Sequence, residues 1–229
     1  MTSSNIKPFK FMESAVLPLA TGIRAQTLRE LHSGLTEVPD SSIYFHFWGR
    51  MVRPHISESE FNNDFASWVN SSLRDFMLAE ALGGINPVKF QNLDNIRAVI
   101  LNILEKRLEN EDFLSWKKSD RDFHFIACKK LMFETGRETS ALDDFPAAVK
   151  HTSRESFFYH FIDGRRRSSD CKDDFTIWLE QFSDETADLR KKLKNVDSYL
   201  FSLTELQRQV FSIFDDWQNS KGGKCSCPK

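Results

Sequence analysis

Four cysteines in 229 residues are too few, and too unevenly placed, to form a disulfide framework. They stand at Cys128, Cys171, Cys225 and Cys227, and the two sulfurs of Cys225-x-Cys227 cannot close a tetrahedral metal site alone. That pair falls in residues 218–229, which contain Gly222-Gly223, end in Pro228-Lys229 and read as a flexible tail. No window approaches the run of about 18 uninterrupted apolar residues that would cross a membrane. The first residues, MTSSNIKPFKF, hold no apolar stretch of signal-peptide length. A cytoplasmic protein with reduced thiols is therefore expected. An excess of one charge is missing too: 31 basic and 33 acidic residues leave a net charge of −2, so no global field recruits nucleic acid or an anionic membrane.

Catalytic signatures are equally scarce. The chain has no G-x-S-x-G, no P-loop, no Rossmann glycine fingerprint and no H-E-x-x-H. What is present is ordinary globular material, 40% hydrophobic and 28% charged. A chain of this length buries roughly 70% of its unfolded surface on folding.

Several residues recur along the chain. Phe9-Lys10-Phe11 returns as Phe123-His124-Phe125, and Thr21-Gly22 as Thr135-Gly136. Ser42, His46, Phe47 and Arg53 return as Ser156, His160, Phe161 and Arg167, and Asp64-Phe65 with Trp68 as Asp174-Phe175 with Trp178. Such recurrence predicts an internal duplication. A first repeat lobe would span residues 8–108, with an insertion at about 73–93; a junction would cover 109–121 and a second lobe 122–217. The expected fold is mainly α, with two sequence-related helical lobes packed as one body.

Periodicity places the helices. Leu28, Leu31 and Leu35 recur at helical spacing behind the capping box Thr27-x-x-Glu30. A second helix starts near Ser42 and stops at Pro54. A third opens at Asp64 and buries Phe65, Trp68, Val69 and Phe76 until Gly83-Gly84 ends it. Asp94 to Leu108 is amphipathic through Ile96, Ile100, Ile103 and Leu104. Leu189, Leu193 and Val196 mark another helix, and Ser202-x-x-Glu205 caps a last one carrying Leu206, Val210, Ile213 and Trp217. Residues 9–19 and 123–133 fit neither period and read as short strands or extended arms.

The recurring polar residues are the candidates for function. Ser42, His46 and Arg53 fall on one helical stripe, and Ser156, His160 and Arg167 on another. Each has a purely structural explanation. Ser42, Ser156, Asp64 and Asp174 cap helices, His46 and His160 donate to a backbone carbonyl in the core, and Arg53 and Arg167 answer a helix dipole. The joint reading has Asp64 and Asp174 orienting His46 and His160, with Ser42, Arg53, Ser156 and Arg167 binding a carboxylate or phosphate at a cleft between the lobes. His46 with Asp64 and His160 with Asp174 offer two metal ligands per lobe, but that spacing is common by chance and no metal is expected. Gly164-Arg165-Arg166-Arg167 is followed closely by Asp170, Asp173 and Asp174, so nucleic acid is not the expected partner.

These residues also carry a resemblance. Thr21-Gly22-x-Arg24-Ala25-x-x-Leu28-x-Glu30-Leu31, Ser42-Ile43-Tyr44-x-His46-Phe47-Trp48, Arg53-Pro54 and Asn63-Asp64-Phe65-Ala66-x-Trp68 resemble a family of prokaryotic proteins of unknown function. Leu78-Ala79-Glu80, Asn86-Pro87, Tyr159-His160-Phe161, Arg165-Arg166-Arg167, Asp174-Phe175-x-x-Trp178 and Ser202-Leu203-Thr204-Glu205-Leu206 fit it too. Phe45 departs from the pattern, which carries a second histidine there in many members. The resemblance covers nearly the whole chain apart from the tail and brings no assigned reaction, substrate or cofactor. The expected function is a non-catalytic binding or regulatory module for a partner protein or a small anion. The alternative is a hydrolase or transferase using paired His/Asp/Arg sets from the two repeats, with candidate catalytic residues His46, His160, Asp64 and Asp174: the histidines as acid/base groups, the aspartates orienting them, and Arg53 and Arg167 as anion clamps.

Overall fold

Two strands of 17 residues, β1 (Phe9–Ala25) and β2 (Phe123–Thr139), pair antiparallel in a two-stranded sheet. The computed structural model describes residues 6–52, 60–90, 92–110, 117–199 and 201–222. Arg53, Pro54, residues 111–116 of the expected junction and the Cys225-x-Cys227 pair lie outside the described residues. Alternation at the start of each strand explains its pairing face: Phe9 and Phe11 are buried with Lys10 exposed between them, and Phe123 and Phe125 enclose an exposed His124. Both strands extend beyond the expected residues 9–19 and 123–133 because each continues through a Thr-Gly step. Thr21 Oγ1 donates to Phe125 O at 2.6 Å and accepts from Ile23 N–H at 3.1 Å. Thr135 Oγ1 likewise donates to Phe11 O at 2.6 Å and accepts from Arg137 N–H at 3.2 Å. The following Gly22 (φ 79°) and Gly136 (φ 72°) adopt a backbone conformation that costs any L side chain about 1–2 kcal/mol.

Antiparallel pairing lays the start of each strand beside the end of the other, and this decides how the chain divides. One compact unit combines Met1–Ala15 with Met132–Lys229, and the other is Val16–Leu131. The chain is mainly α, about 60% helical. The expectation of two sequence-related lobes, built by internal duplication and packed as one body, is corrected by this division. Neither unit is a contiguous sequence half, since each takes in a strand segment from the far half, and the strands are long rather than short.

In the unit of residues 16–131, α1 (Leu28–Glu37) begins at the expected cap, with Thr27 Oγ1 accepting Glu30 N–H at 3.2 Å, while the Glu30 carboxylate reaches one residue beyond the expected box and accepts Gln26 N–H at 2.6 Å. There follow α2 (Asp40–Val52), α3 (Asp64–Trp68), α4 (Phe76–Gly83) and α5 (Leu93–Asn110). The expected continuous third helix is broken. After α3 a wide π turn, Val69–Leu73, ends at Arg74 in the left-handed region (φ 54°), and Asp75 caps a new start at α4. The break turns Phe76 out to 58% exposure instead of burying it. Leu28, Leu31, Leu35, Phe47, Phe65, Ile100 and Leu104 form the core with Phe123 and Phe125.

The second unit contains α6 (Phe145–Lys150), α7 (Arg154–Phe157), a π turn Phe158–Asp163, α8 (Gly164–Arg167), α9 (Asp174–Leu179), α10 (Ala187–Lys194) and α11 (Leu203–Gly222). The capping box of α11 forms as expected, with Ser202 N–H on the Glu205 carboxylate at 2.9 Å and Glu205 N–H on Ser202 Oγ at 3.3 Å. Phe9 and Phe11 pack into a core of Phe145, Phe157, Phe161, Phe175 and Phe214. Arg165 is buried there with its guanidinium 4.3 Å from the Phe161 ring centroid. It donates to Val196 O and Leu193 O, each at 2.7 Å, and pairs with Asp173 at 3.5 Å. Asp173 accepts from Thr176 N–H and Thr176 Oγ1, both at 2.9 Å. Burial lowers the Arg165 pKa and raises that of Asp173; the two charges, these hydrogen bonds and, for Arg165, the charge of Asp197 oppose it.

Two substitutions test this packing. A Cβ at Gly34 of α1 would sit 2.3 Å from the buried ring of Phe125. Gly34→Ala should therefore lower stability by about 1–3 kcal/mol, although alanine is the better helix former by roughly 1 kcal/mol; the urea midpoint reads the sign. Arg165→Met leaves the Asp173 carboxylate buried without its cation, and a loss of about 3–5 kcal/mol is expected in the same measurement.

Candidate functional site

Each unit holds one histidine whose two ring nitrogens are both engaged. His46, on α2, places Nδ1 2.9 Å from Asp64 Oδ2, and its Nε2 accepts Ile126 N–H at 3.1 Å. His160, in the π turn after α7, places Nδ1 2.7 Å from Asp174 Oδ2, and its Nε2 accepts Met12 N–H at 2.8 Å. A backbone amide only donates, so Nε2 is bare and the proton sits on Nδ1, facing the carboxylate. The rings are 2% and 3% exposed, enclosed by Phe65 and Phe123 in one unit and by Phe9 and Phe175 in the other. An imidazole in this state has no spare lone pair with which to take a proton from a substrate.

Asp64 and Asp174 reach the histidines because they are the first residues of α3 and α9, one place past the caps. Asn63 and Asp173 are the N-caps, accepting Ala66 N–H and Thr176 N–H, each at 2.9 Å. The capping explanation for Asp64 and Asp174 is therefore off by one residue. Ser42 and Ser156 are not caps either. Both lie inside helices, fully or almost fully buried, with no hydrogen-bond partner for their Oγ atoms among the described residues, and neither lines the cavity described below. Ser153 caps α7 instead, accepting Ser156 N–H at 3.0 Å.

Arginine completes each set. Arg167 donates to Asp174 Oδ2 at 2.7 Å and to Tyr159 O at 3.1 Å, with its guanidinium carbon 4.1 Å from the Tyr159 ring centroid. Burial works to lower its pKa, but the Asp174 carboxylate, helped by Tyr159 and Asp163, outweighs this and raises it. Beside Asp64 the arginine is Arg50, which the sequence reading missed: its Nε is 3.7 Å from Asp64 Oδ1 and its Nη1 donates to Ser67 Oγ at 2.9 Å. Each set of histidine, aspartate and arginine is thus complete within its own unit.

An open cavity of about 650 Å³ lies beside the His160 set, entirely within the unit of residues 1–15 and 132–229. Lys7, Lys10, Tyr159, Asp174, Ile177 and Trp178 are among the side chains lining it. The Nζ atoms of Lys7 and Lys10 and the Tyr159 hydroxyl have no hydrogen-bond or ion-pair partner among the described residues. Asp174, in contrast, is already held by His160 and Arg167. Sequence reading missed the lysines, whose only signal is the buried-exposed alternation around Phe9 and Phe11, and that signal carries no functional meaning by itself. The other unit has no hydroxyl at the matching place, since Phe45 stands beside His46 as Tyr159 stands beside His160. Among the described residues, no group of three or more His, Cys, Asp or Glu side chains is arranged to hold a metal ion, and no helix is long and apolar enough to cross a membrane.

The hydrogen bonds assign the histidines a definite protonation pattern. Nitrogen-15 NMR is expected to find His46 and His160 protonated on Nδ1 and bare on Nε2. His46→Ala and His160→Ala should each lose about 2–4 kcal/mol of stability, because a ring is deleted and a strand amide is orphaned.

The structure of OrfY from Thermoproteus tenax is similar to this one, with a TM-score of 0.78 and 26% sequence identity over 93% of this chain and 96% of that one. No curated protein matches the chain. The pattern that defines DUF5752, a family of unknown function, matches residues 6–215, and the chain belongs to that family.

Proposed function

We propose that the protein is a non-catalytic binding module that takes a small organic anion in the cavity beside His160. The carrying observation is the pair of uncommitted ammonium groups, Lys7 and Lys10, at a cavity whose lining carboxylate, Asp174, is already engaged by His160 and Arg167. Two cations and a free phenol favour a phosphate or carboxylate. The volume lies within the range of about 300–1,000 Å³ usual for small-molecule sites. The non-catalytic part of the reading rests on the imidazoles, which are spent on strand amides and carboxylates. Arg167 acts as the fixed counter-charge that keeps Asp174 from repelling an incoming anion. A reducing, cytoplasmic setting, expected from the scarcity of cysteine, is part of the same reading.

A thermal-shift screen with sugar phosphates, nucleotides and organic acids tests the reading, since a ligand that binds the native state raises the melting temperature by mass action. At least one class should raise it, the ligand should be recovered unaltered, and the double variant Lys7→Glu/Lys10→Glu should abolish the shift. A melting temperature that no ligand in the panel moves would overturn the proposal.

A further inference from the structure

Helix α9 buries Phe175, Trp178 and Leu179 but leaves Ile177 42% exposed, and this side chain lines the same cavity as Lys7 and Lys10. Pro8 and Met12 of the β1 end line it as well. The cavity therefore offers an aliphatic surface together with two ammonium groups. An inorganic anion, or a sugar phosphate with hydroxyls on every side, would use the ammonium groups and leave that surface wet. The lysines are also presented from a braced backbone. Trp178 Nε1–H donates to Lys7 O at 2.7 Å, and Lys7 N–H donates to Gln181 Oε1 at 2.9 Å, which ties the chain at Lys7 to α9 and the turn after it.

We infer that the ligand is an amphipathic anion, a small phosphate monoester with an aryl or other apolar body, whose head group pairs with Lys7 and Lys10 and whose body covers Ile177. This rests on the anion-binding reading above and adds to it the chemical character of the rest of the molecule. Burial of an apolar ring against Ile177, Pro8 and Met12 supplies the preference, and the braced Lys7 backbone limits the ordering cost on the charged side.

Calorimetric titration of the full chain with phenyl phosphate and with glycerol 3-phosphate separates the two claims. Phenyl phosphate should bind ~10-fold more tightly or better. Ile177→Ser, a change at an exposed position, should lower that ratio by ~3-fold or more, with a smaller effect on glycerol 3-phosphate affinity. Lys7→Glu/Lys10→Glu should weaken both ligands by ~10-fold or more. Equal affinities in the unaltered protein, or a ratio that survives Ile177→Ser, overturns the amphipathic inference and leaves anion binding standing. Binding indifferent to the charge reversal, or no binding of either compound, overturns both.

Discussion

Everything in this structure follows from the antiparallel pairing of two long strands that, among the described residues, have no third strand beside them. A two-stranded sheet leaves outward-facing amides and carbonyls on both edges, and buried ones must find partners elsewhere. Here the helices supply them through side chains. His160 and His46 accept the amides of Met12 and Ile126, while Trp178 and Trp68 donate to the carbonyls of Lys7 and Arg121 at 2.7 and 2.6 Å. Imidazole and indole thus act as the missing neighbour strand at the buried start of each strand.

That role explains why a histidine is kept among so many phenylalanines. A phenylalanine at either position would fill the space and leave a buried N–H unpaired, at a cost of roughly 1–3 kcal/mol. The aspartate on Nδ1 sets the tautomer that leaves Nε2 able to accept, and the arginine beside each aspartate answers its charge. His46 and His160, the groups that look catalytic by type, are thus both tied to strand amides. Lys7, Lys10 and the Tyr159 hydroxyl, which have no hydrogen-bond or ion-pair partner among the described residues, are groups that no catalytic motif marks.

The two units use this device alike and differ in what surrounds it. Tyr159 adds a hydroxyl beside His160, where Phe45 adds none beside His46. Asp122, just before β2, is taken up by Arg24 and Gln26, at 3.2 and 2.9 Å, whereas Lys7 and Lys10, around the start of β1, have no ion-pair partner among the described residues. Among the described residues, electrostatic availability marks the unit that carries the candidate site.

Much was legible from residue order alone, wherever the physics is local. The caps at Thr27 and Ser202, the amphipathic helices around Leu31, Ile100 and Leu206, and the pairing of His46 with Asp64 and His160 with Asp174 all depend on spacings within one or two elements. Their signals survive in the letters. Where the third helix breaks at Arg74 did not, because a π turn and a left-handed residue leave no periodicity to read. Nor did the division of the chain: antiparallel pairing joins residues more than a hundred positions apart, and hydrophobic patterning of Phe9-Lys10-Phe11 and Phe123-His124-Phe125 says only that each segment buries one face, not which helices it buries against. Sequence determined the helices and the chemistry of the buried pairs; tertiary structure alone decided which strand end completes which core, and hence that two lysines near the N-terminus border a cavity formed with α9.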